Sequence, residues 1–389
     1  MILQEFQAKR ILARFGVAVP SGEVAVTTGE ARDIAQRLGT SALAVKAQIR
    51  AGGRGKAGGV SLVRSADLAE KAAQELLGRR LVTEQSGPNG HLVKRLLVEA
   101  GIEPARTLYL SLLIDASVGA VVLVASSEGG GEVEDRILSG EAEIERMQLG
   151  TGQQPLPAAD VAALALRLGL KGDEVQAFTK LVDDIRRAFV ELDASLIEVN
   201  PLAVMRDGSL VALDVKIMID DNALFRQSSL SVLRDDDEDA ELEVRAQQKQ
   251  LNYVRMDGNI GVAANGAGLG LATLDMVCEA GGRPANFMDI RTTARSLDVA
   301  HGFGLLLDNP KVRVLLINVH GGGMQPCDVI VDGLGIAMRR TGRTLPTVVR
   351  LAGTNAVFAR SRFRNFGCRV IESADMWTAA TQAVAAAGR

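Results

Sequence analysis

The chain has 389 residues, of which 47% are hydrophobic, 23% charged and 3% aromatic, and its formal net charge is −3. That length exceeds one ordinary core and predicts a globular protein of two or three domains. An acidic balance without a basic stripe, together with few aromatic stacking platforms, argues against a nucleic-acid partner.

At the N-terminus, Met1 to Arg10 carries an amphipathic helical pattern, and a helix is predicted over residues 4–14. No apolar signal core is read there and no later apolar run reaches membrane-spanning length, so neither export nor a membrane anchor is expected. Cys278, Cys327 and Cys368 are odd in number and widely spaced, which fits a reducing cytoplasm and neither a disulfide framework nor a zinc cluster.

A strand is predicted over 43–49, where period-2 alternation puts Lys46 and Gln48 on one face and Val45, Ala47 and Ile49 on the other. It runs into Ala51-Gly52-Gly53-Arg54-Gly55-Lys56-Ala57-Gly58-Gly59-Val60, five glycines and two cations in ten residues. Glycines let backbone N–H groups approach phosphate oxygens, and Arg54 and Lys56 would supply countercharge, so the segment reads as a phosphate-holding loop at which the strand aims Lys46. No Gly-Lys-Ser/Thr opens a helix here, which excludes a P-loop. A flexible surface hairpin is the alternative. Helices are further predicted over 66–78, 159–170 and 174–192, and strands over 58–63, 95–100, 108–114 and 119–125, an α+β mixture.

Strands over 195–204 and 209–217 flank Arg206-Asp207-Gly208, which predicts a three-residue hairpin loop with Gly208 left-handed. Counted back from that loop, Asn200 falls opposite Asp214 and Glu198 opposite Lys216, all four on one face. Opposed Cβ atoms lie about 5 Å apart, so Asn200 and Asp214 could grip one hard cation such as Mg²⁺, which keeps waters and phosphate oxygens as its other ligands. A solvated face with a Glu–Lys pair is the alternative, against which Pro201 is an odd residue for an ordinary paired strand.

Residues 234–250 form an acidic stretch, a linker or solvated helix, that marks the domain boundary. Beyond it, short apolar strands at 259–264, 312–319, 346–351 and 368–371 alternate with helical patterns, which predicts a doubly wound parallel sheet. Asn265-Gly266-Ala267-Gly268-Leu269-Gly270 and His320-Gly321-Gly322-Gly323-Met324-Gln325-Pro326-Cys327-Asp328 would bring free N–H groups to an anion beyond the strand ends. As dinucleotide fingerprints both are weak: the first lacks a convincing acidic partner about twenty residues on.

With these features together, the chain resembles the β-subunit family of succinyl-CoA synthetase, the ADP- or GDP-forming ligase, over essentially its whole length. The strings that carry the resemblance include Gln7-Ala8-Lys9, Ala51 to Val60, Arg80-Leu81-Val82-Thr83, Leu97-Val98-Glu99-Ala100, Ile197 to Leu202, Asn222 to Gln227, Leu251-Asn252-Tyr253-Val254 and Asn265 to Leu269. It implies an α/β protein with an ATP-grasp N-terminal half over 1–240 and a doubly wound, flavodoxin-like CoA-ligase domain over 241–389. It implies ATP or GTP, Mg²⁺, a small carboxylic acid substrate, and an α-subunit partner in an αβ or α2β2 assembly that carries the phosphorylated histidine and the CoA site. By motif, Lys46, the Gly53-Arg54-Gly55 turn and Glu99 would contact nucleotide, Asn200 and Asp214 the Mg²⁺, and Glu198 the phosphohistidine as the catalytic group. Asn265 and the loop around Gly322-Gly323-Met324 would lie at the carboxylate site. The chain's own His91 and His301 read as structural or exposed; His320 has a local hydrogen-bonding role or a contact with substrate, and Cys327 is a buried small residue or a thiol of lowered pKa.

The chain departs from the family in one region. Where the family has Val-Gly-Gly-Gly-Ala after Asn-Phe-Leu-Asp, it has Ile290-Arg291-Thr292-Thr293-Ala294, and the 320–326 loop carries Gln325-Pro326 with one extra residue. Three hypotheses follow. Arg291 pairs with an additional anionic group of an acid other than succinate, such as a malate-like or citrate-like acid; or the loop tolerates the change in an ordinary succinate ligase; or the chain is a nucleotide-responsive regulatory partner. Thr107, where a glutamate is common, leaves ribose recognition open.

Overall fold

A computed structural model describes residues 1–86, 90–131, 133, 136, 139–140, 143–233 and 238–388. The chain divides into two compact units, Met1–Arg234 and Asp235–Arg389. The acidic stretch at 234–250 thus falls at the junction; its residues 234–237 lie outside the described ones, and the rest begins with a helix, Glu238–Gln247.

The first unit holds two antiparallel sheets. The smaller comprises β1 (Gly22–Ala25), β2 (Leu43–Ala47), β3 (Val60–Val63) and β6 (Leu96–Ala100), in the order β1-β6-β2-β3; the pair β4 (Arg80–Leu81) and β5 (His91–Leu92) stands apart. Helices α2 (Thr28–Leu38) and α3 (Ala66–Leu76) pack on it through Ala31, Ile34, Ala69, Ala73 and Leu76. Helix α2 and strand β1 were not among the predicted elements, although the helix is signposted: the Thr27 side chain accepts from the Glu30 N–H, Glu30 accepts from the Val26 N–H, and Gly39 closes the helix at φ 60°.

The larger sheet contains β7 (Arg106–Asp115), β8 (Ala120–Ser126), β9 (Glu145–Gln148), β10 (Ala194–Val204), β11 (Leu210–Ala212) and β12 (Val215–Ile219), ordered β11-β10-β7-β8-β9 with β12 also on β10. Its core is shared with α1 (Glu5–Arg14), α4 (Ala158–Arg167) and α5 (Asp173–Glu191), through Leu12, Leu164, Phe178 and Ile185. The hairpin has the register counted from its turn: Val204 faces Leu210, Glu198 faces Lys216, and Gly208 takes φ 81°. The single strand expected over 209–217 is split at Leu213-Asp214, opposite Pro201, which has no N–H to donate; the Asn200–Pro201 peptide is cis.

The second unit is one six-stranded sheet in the order β13-β15-β14-β16-β17-β18, built from β13 (Leu251–Arg255), β14 (Ile260–Ala264), β15 (Asn286–Ile290), β16 (Val314–Gly321), β17 (Thr347–Gly353) and β18 (Val370–Glu372). Five strands run parallel, and β13 is an antiparallel edge strand that the βαβ pattern had not revealed. One face is covered by α6 (Glu238–Gln247), α8 (Ser296–Asp308) and α9 (Cys327–Thr341), and the other by α7 (Ala267–Glu279) and α11 (Met376–Ala387), with α10 (Ala356–Arg362) beside β17. The sheet is therefore doubly wound. From β14 the chain moves to β15 on one side and then to β16 on the other, so the crevice between the carboxyl ends of β14 and β16 is the switch point.

At that end Gly353 has φ 84°, and a Cβ on it would lie 2.2 Å from the Gly321 carbonyl oxygen. Gly353→Ala is expected to cost about 2–3 kcal/mol through left-handed strain and displacement of β16. A fall in the thermal midpoint of the second unit, followed by calorimetry on the whole chain, checks it.

Candidate functional site

In the first unit, a cavity of about 350 Å³ is lined by Lys46, Gly53, Arg54, Gly55, Lys56, Glu198, Asn200, Asp214 and Lys216. The glycine loop forms one wall and the 198–216 hairpin another, so the two patterns read separately from sequence converge. Gly53 takes φ 75° and Gly58 φ 74°, which the loop's turn requires and which β-carbon-bearing residues resist.

The cations are organised by acids. Lys46, on fully buried β2, reaches Glu5 Oε1 at 2.9 Å, Glu99 Oε1 at 2.6 Å and donates to the Leu213 carbonyl at 2.7 Å. Arg54 is buried, 7% exposed, and does not extend from the loop as a loose countercharge. Its Nη1 donates to Glu5 Oε2 and the Ala47 carbonyl, and its Nη2 to both oxygens of Asp214, at 2.8 and 2.7 Å. Glu99, expected at the nucleotide, lies behind Lys46 and joins it to Lys9, whose Nζ is 2.6 Å from Oε2. The glutamate side chain is thus committed to two lysines and does not line the cavity.

Glu5 and Lys9 were missed. Both are core-facing on α1, four residues apart and 2.8 Å from each other. Charged side chains on the buried stripe of an otherwise amphipathic helix were the available signal. Gln48 ties them in: its Oε1 accepts from the Phe6 N–H and its Nε2 donates to Glu5 Oε2.

Burial by itself would raise the Glu5 carboxyl, but Lys46, Arg54 and Lys9 override it and hold the group well below the ordinary carboxylate range. Burial likewise opposes charge on Lys46 and Arg54, and the carboxylates beside them raise both pKa values. Glu5 contributes stability above its unfolded pKa and loses it as pH falls through its lower folded value. Lys46, being raised, contributes fully below the unfolded lysine value and loses it only as pH rises through the folded one. The network is therefore expected to hold from about pH 6 to pH 9, with the thermal midpoint falling below about pH 4; a pH series of melts checks this.

Asn200 Oδ1 accepts from the Gly130 N–H at 2.7 Å and its Nδ2 donates to the Gly130 carbonyl, which pins the amide to the 129–131 turn. Thr107 Oγ1 donates to the neighbouring Gly129 carbonyl. Among the described residues no three or more His, Cys, Asp or Glu side chains are grouped to hold a metal. The Asn200–Asp214 pair still fits Mg²⁺: an amide oxygen and a carboxylate retain lone pairs beyond those already bonded, and this ion takes few protein ligands beside substrate phosphates.

The second unit places the other candidates at the carboxyl end of its sheet. Asn265 spans the switch-point crevice, donating to the His320 carbonyl and accepting from the His320 N–H, each at 2.8 Å. His320 thus serves through its backbone, while its side chain is exposed. Gly322 donates to the Gln325 carbonyl, Gly323 has open space at its Cα, and Met324 is 75% exposed. Arg291 donates through Nε and Nη2 to Asn252 Oδ1, and Asn252 donates to Asp289 Oδ2, whose other oxygen accepts from the Gly266 N–H. The buried Gln325 donates to the Arg291 and Ala294 carbonyls, so the two departures from the family brace one another. Cys327 is buried and donates to the Ala352 carbonyl; burial pushes its thiol pKa up, so it is not an activated nucleophile.

No helix among the described residues is long and apolar enough to cross a membrane. Residues 2–204 match the ATP-grasp domain family and residues 263–388 the CoA-ligase family. The chain is 45% identical over 386 residues to a succinate–CoA ligase [ADP-forming] subunit beta of Methylobacillus flagellatus, covering 99% of both. It is 43% identical over 389 residues to the protein of that name from Anaeromyxobacter dehalogenans, covering 100% of this chain and 99% of that one. Among solved structures, ATP citrate lyase from Methanothrix soehngenii superposes with a TM-score of 0.73 at 17% identity over 99% of each chain, a likeness of fold. Full-length similarity and two matched domains in the order of the two compact units show that the chain belongs to the β-subunit family of succinate–CoA ligases, with an ATP-grasp domain followed by a CoA-ligase domain.

Proposed function

We propose that this chain is the β subunit of a nucleoside-diphosphate-forming carboxylate–CoA ligase of the cytoplasm, which transfers the terminal phosphoryl group of ATP to a histidine of an α-subunit partner. The observation that carries this reading is the convergence of Lys46, Arg54, Glu198, Asn200 and Asp214 on one cavity beside the glycine loop. Lys46 and Arg54 present fixed positive charge to the transferring group, and the backbone N–H groups of Gly53 and Gly55 approach its oxygens without side chains in the way. Asn200 and Asp214 would hold Mg²⁺, which supplies charge neutralisation on the phosphate oxygens when bound. Glu198, on the same strand face as Asn200, orients the incoming imidazole. In the second unit, Asn265 and the 322–324 loop hold the acid's carboxylate.

The ADP-forming relatives favour ATP, and their names favour succinate. One observation favours a different acid: Arg291 makes no ion pair among the described residues, and it is fixed by a neutral amide that leaves its charge available. The test is co-expression with an α-subunit partner, followed by labelling of the partner's histidine from ATP and by CoA-dependent ADP release on succinate, malate, citrate and itaconate. A labelled partner and turnover on one of these acids are expected. Nucleotide binding with no labelled histidine would leave only the regulatory reading.

A further inference from the structure

Glu5 is 3% exposed, yet it touches three cations: Lys9 at 2.8 Å, Lys46 at 2.9 Å and Arg54 at 2.7 Å. Lys46 has Glu99 as its other carboxylate, and Arg54 has Asp214. Among the described residues Glu5 is the one carboxylate that touches both Lys46 and Arg54. The carboxylate itself is fixed, since Gln48 holds Oε2 and the start of α1 together, and the Gln4 N–H is bonded to Gln7 Oε1 at 2.9 Å.

Buried ion clusters of this kind are poor stabilisers. Desolvation offsets most of the Coulombic gain, and well-packed apolar residues often replace them at no loss. What such a cluster does supply is placement. A lysine carries an ammonium on a flexible four-carbon stem, and ordering it at the moment of reaction would cost entropy that a fixed carboxylate removes beforehand.

We propose that Glu5, which contacts neither phosphate nor metal in the proposed chemistry, is a positioning residue of the phosphoryl-transfer site: it holds Lys46 and Arg54 at the cavity wall in the spacing the nucleotide phosphates require. This rests on the proposed function. The two cavity-wall cations take different oxygens: Oε1 meets Lys46, together with Lys9, and Oε2 meets Arg54, together with the Gln48 amide. The strand cation and the loop cation are thereby set by one rigid group from a third element. Without the carboxylate Arg54 has Asp214 as its only acidic partner, and Lys46 has only Glu99.

The experiment uses the complex of this chain with its α-subunit partner and compares two routes to the same phosphohistidine. One is driven by ATP. The other runs from acyl-CoA and inorganic phosphate and needs no nucleotide. Glu5→Gln is expected to slow the ATP-driven route on the order of 10²-fold and to raise the KM for ATP, because the phosphate-facing cations lose their alignment. The nucleotide-independent route is expected to stay within about twofold of wild type, since none of its groups depends on Glu5. Glu5→Asp, which keeps the charge on a shorter stem, is expected to recover part of the loss. Gln48→Met, which removes the amide holding the carboxylate, should raise the KM for ATP by about threefold to tenfold and reports on the same placement should Glu5→Gln not fold. Equal slowing of both routes would make Glu5 a structural residue only and overturn the proposal, as would wild-type rates in both. A wild-type complex that labels no histidine from ATP overturns the proposed function and this inference with it, an outcome that either Glu5 result presupposes is absent.

Discussion

Lys46→Ala is expected to abolish ATP-driven phosphorylation of the partner and also to destabilise the first unit. Lys46 sits between Glu5 and Glu99, both nearly inaccessible to solvent, and Lys9 would remain as the sole cation touching both. Removing one partner from a buried ion cluster typically costs about 3–5 kcal/mol, because the surviving charge is left uncompensated. The loss of phosphate contact adds a reduction of at least about 10²-fold in transfer rate. Asp214→Asn separates the two effects. Its carboxylate is a third exposed, and Arg54 keeps Glu5, so the fold should survive while phosphorylation is lost with the metal ligand. Melting curves beside histidine labelling check both variants. Normal labelling in Asp214→Asn would remove the hairpin from the phosphoryl-transfer site.

On the proposal that Arg291 pairs with an additional anionic group of an acid other than succinate, Arg291→Gly is expected to lower kcat/KM on that acid by about 10²-fold, the scale of a lost bidentate guanidinium–carboxylate pair, and to change rates on succinate far less. The structural cost should be small. Arg291 gives up two bonds to one amide oxygen of Asn252, worth about 1 kcal/mol in total, while Gln325 continues to hold the 291 and 294 carbonyls. The ratio of kcat/KM across the panel of acids is the measurement. An unchanged ratio would mean that Arg291 plays no part in choosing the acid and that the loop merely tolerates it.

Much of the site was legible in the sequence where the deciding interactions are local. Gly208 could be placed left-handed because a three-residue hairpin loop demands it, and that single turn sets which residues of 194–204 and 210–219 face one another. The parallel sheet of the second unit followed, except for β15, from apolar strands alternating with helical periods. Its antiparallel edge, β13, did not, because an edge strand preceding the first βαβ unit leaves no periodic signature. Helix α2 was not predicted, although Thr27, Glu30 and Gly39 carry its start and stop signals; its buried stripe is short, Ala31, Ile34 and Ala35.

The sequence by itself determined the two-part organisation, the glycine loop beside a strand lysine, and an amide and a carboxylate facing each other across a hairpin. The first shows as a change of composition at 234–250, and the other two depend on residues within one turn or one strand pair, whose geometry is set by backbone dihedrals and side-chain period. Only the tertiary structure decided which charge meets which. Arg54 joins Asp214 across 160 residues and Glu5 across 49; Lys9 joins Glu99 across 90; Gln325 braces Arg291 across 34. A side chain's charge states that it needs a partner once buried, but the partner's identity depends on which distant elements the hydrophobic cores bring together.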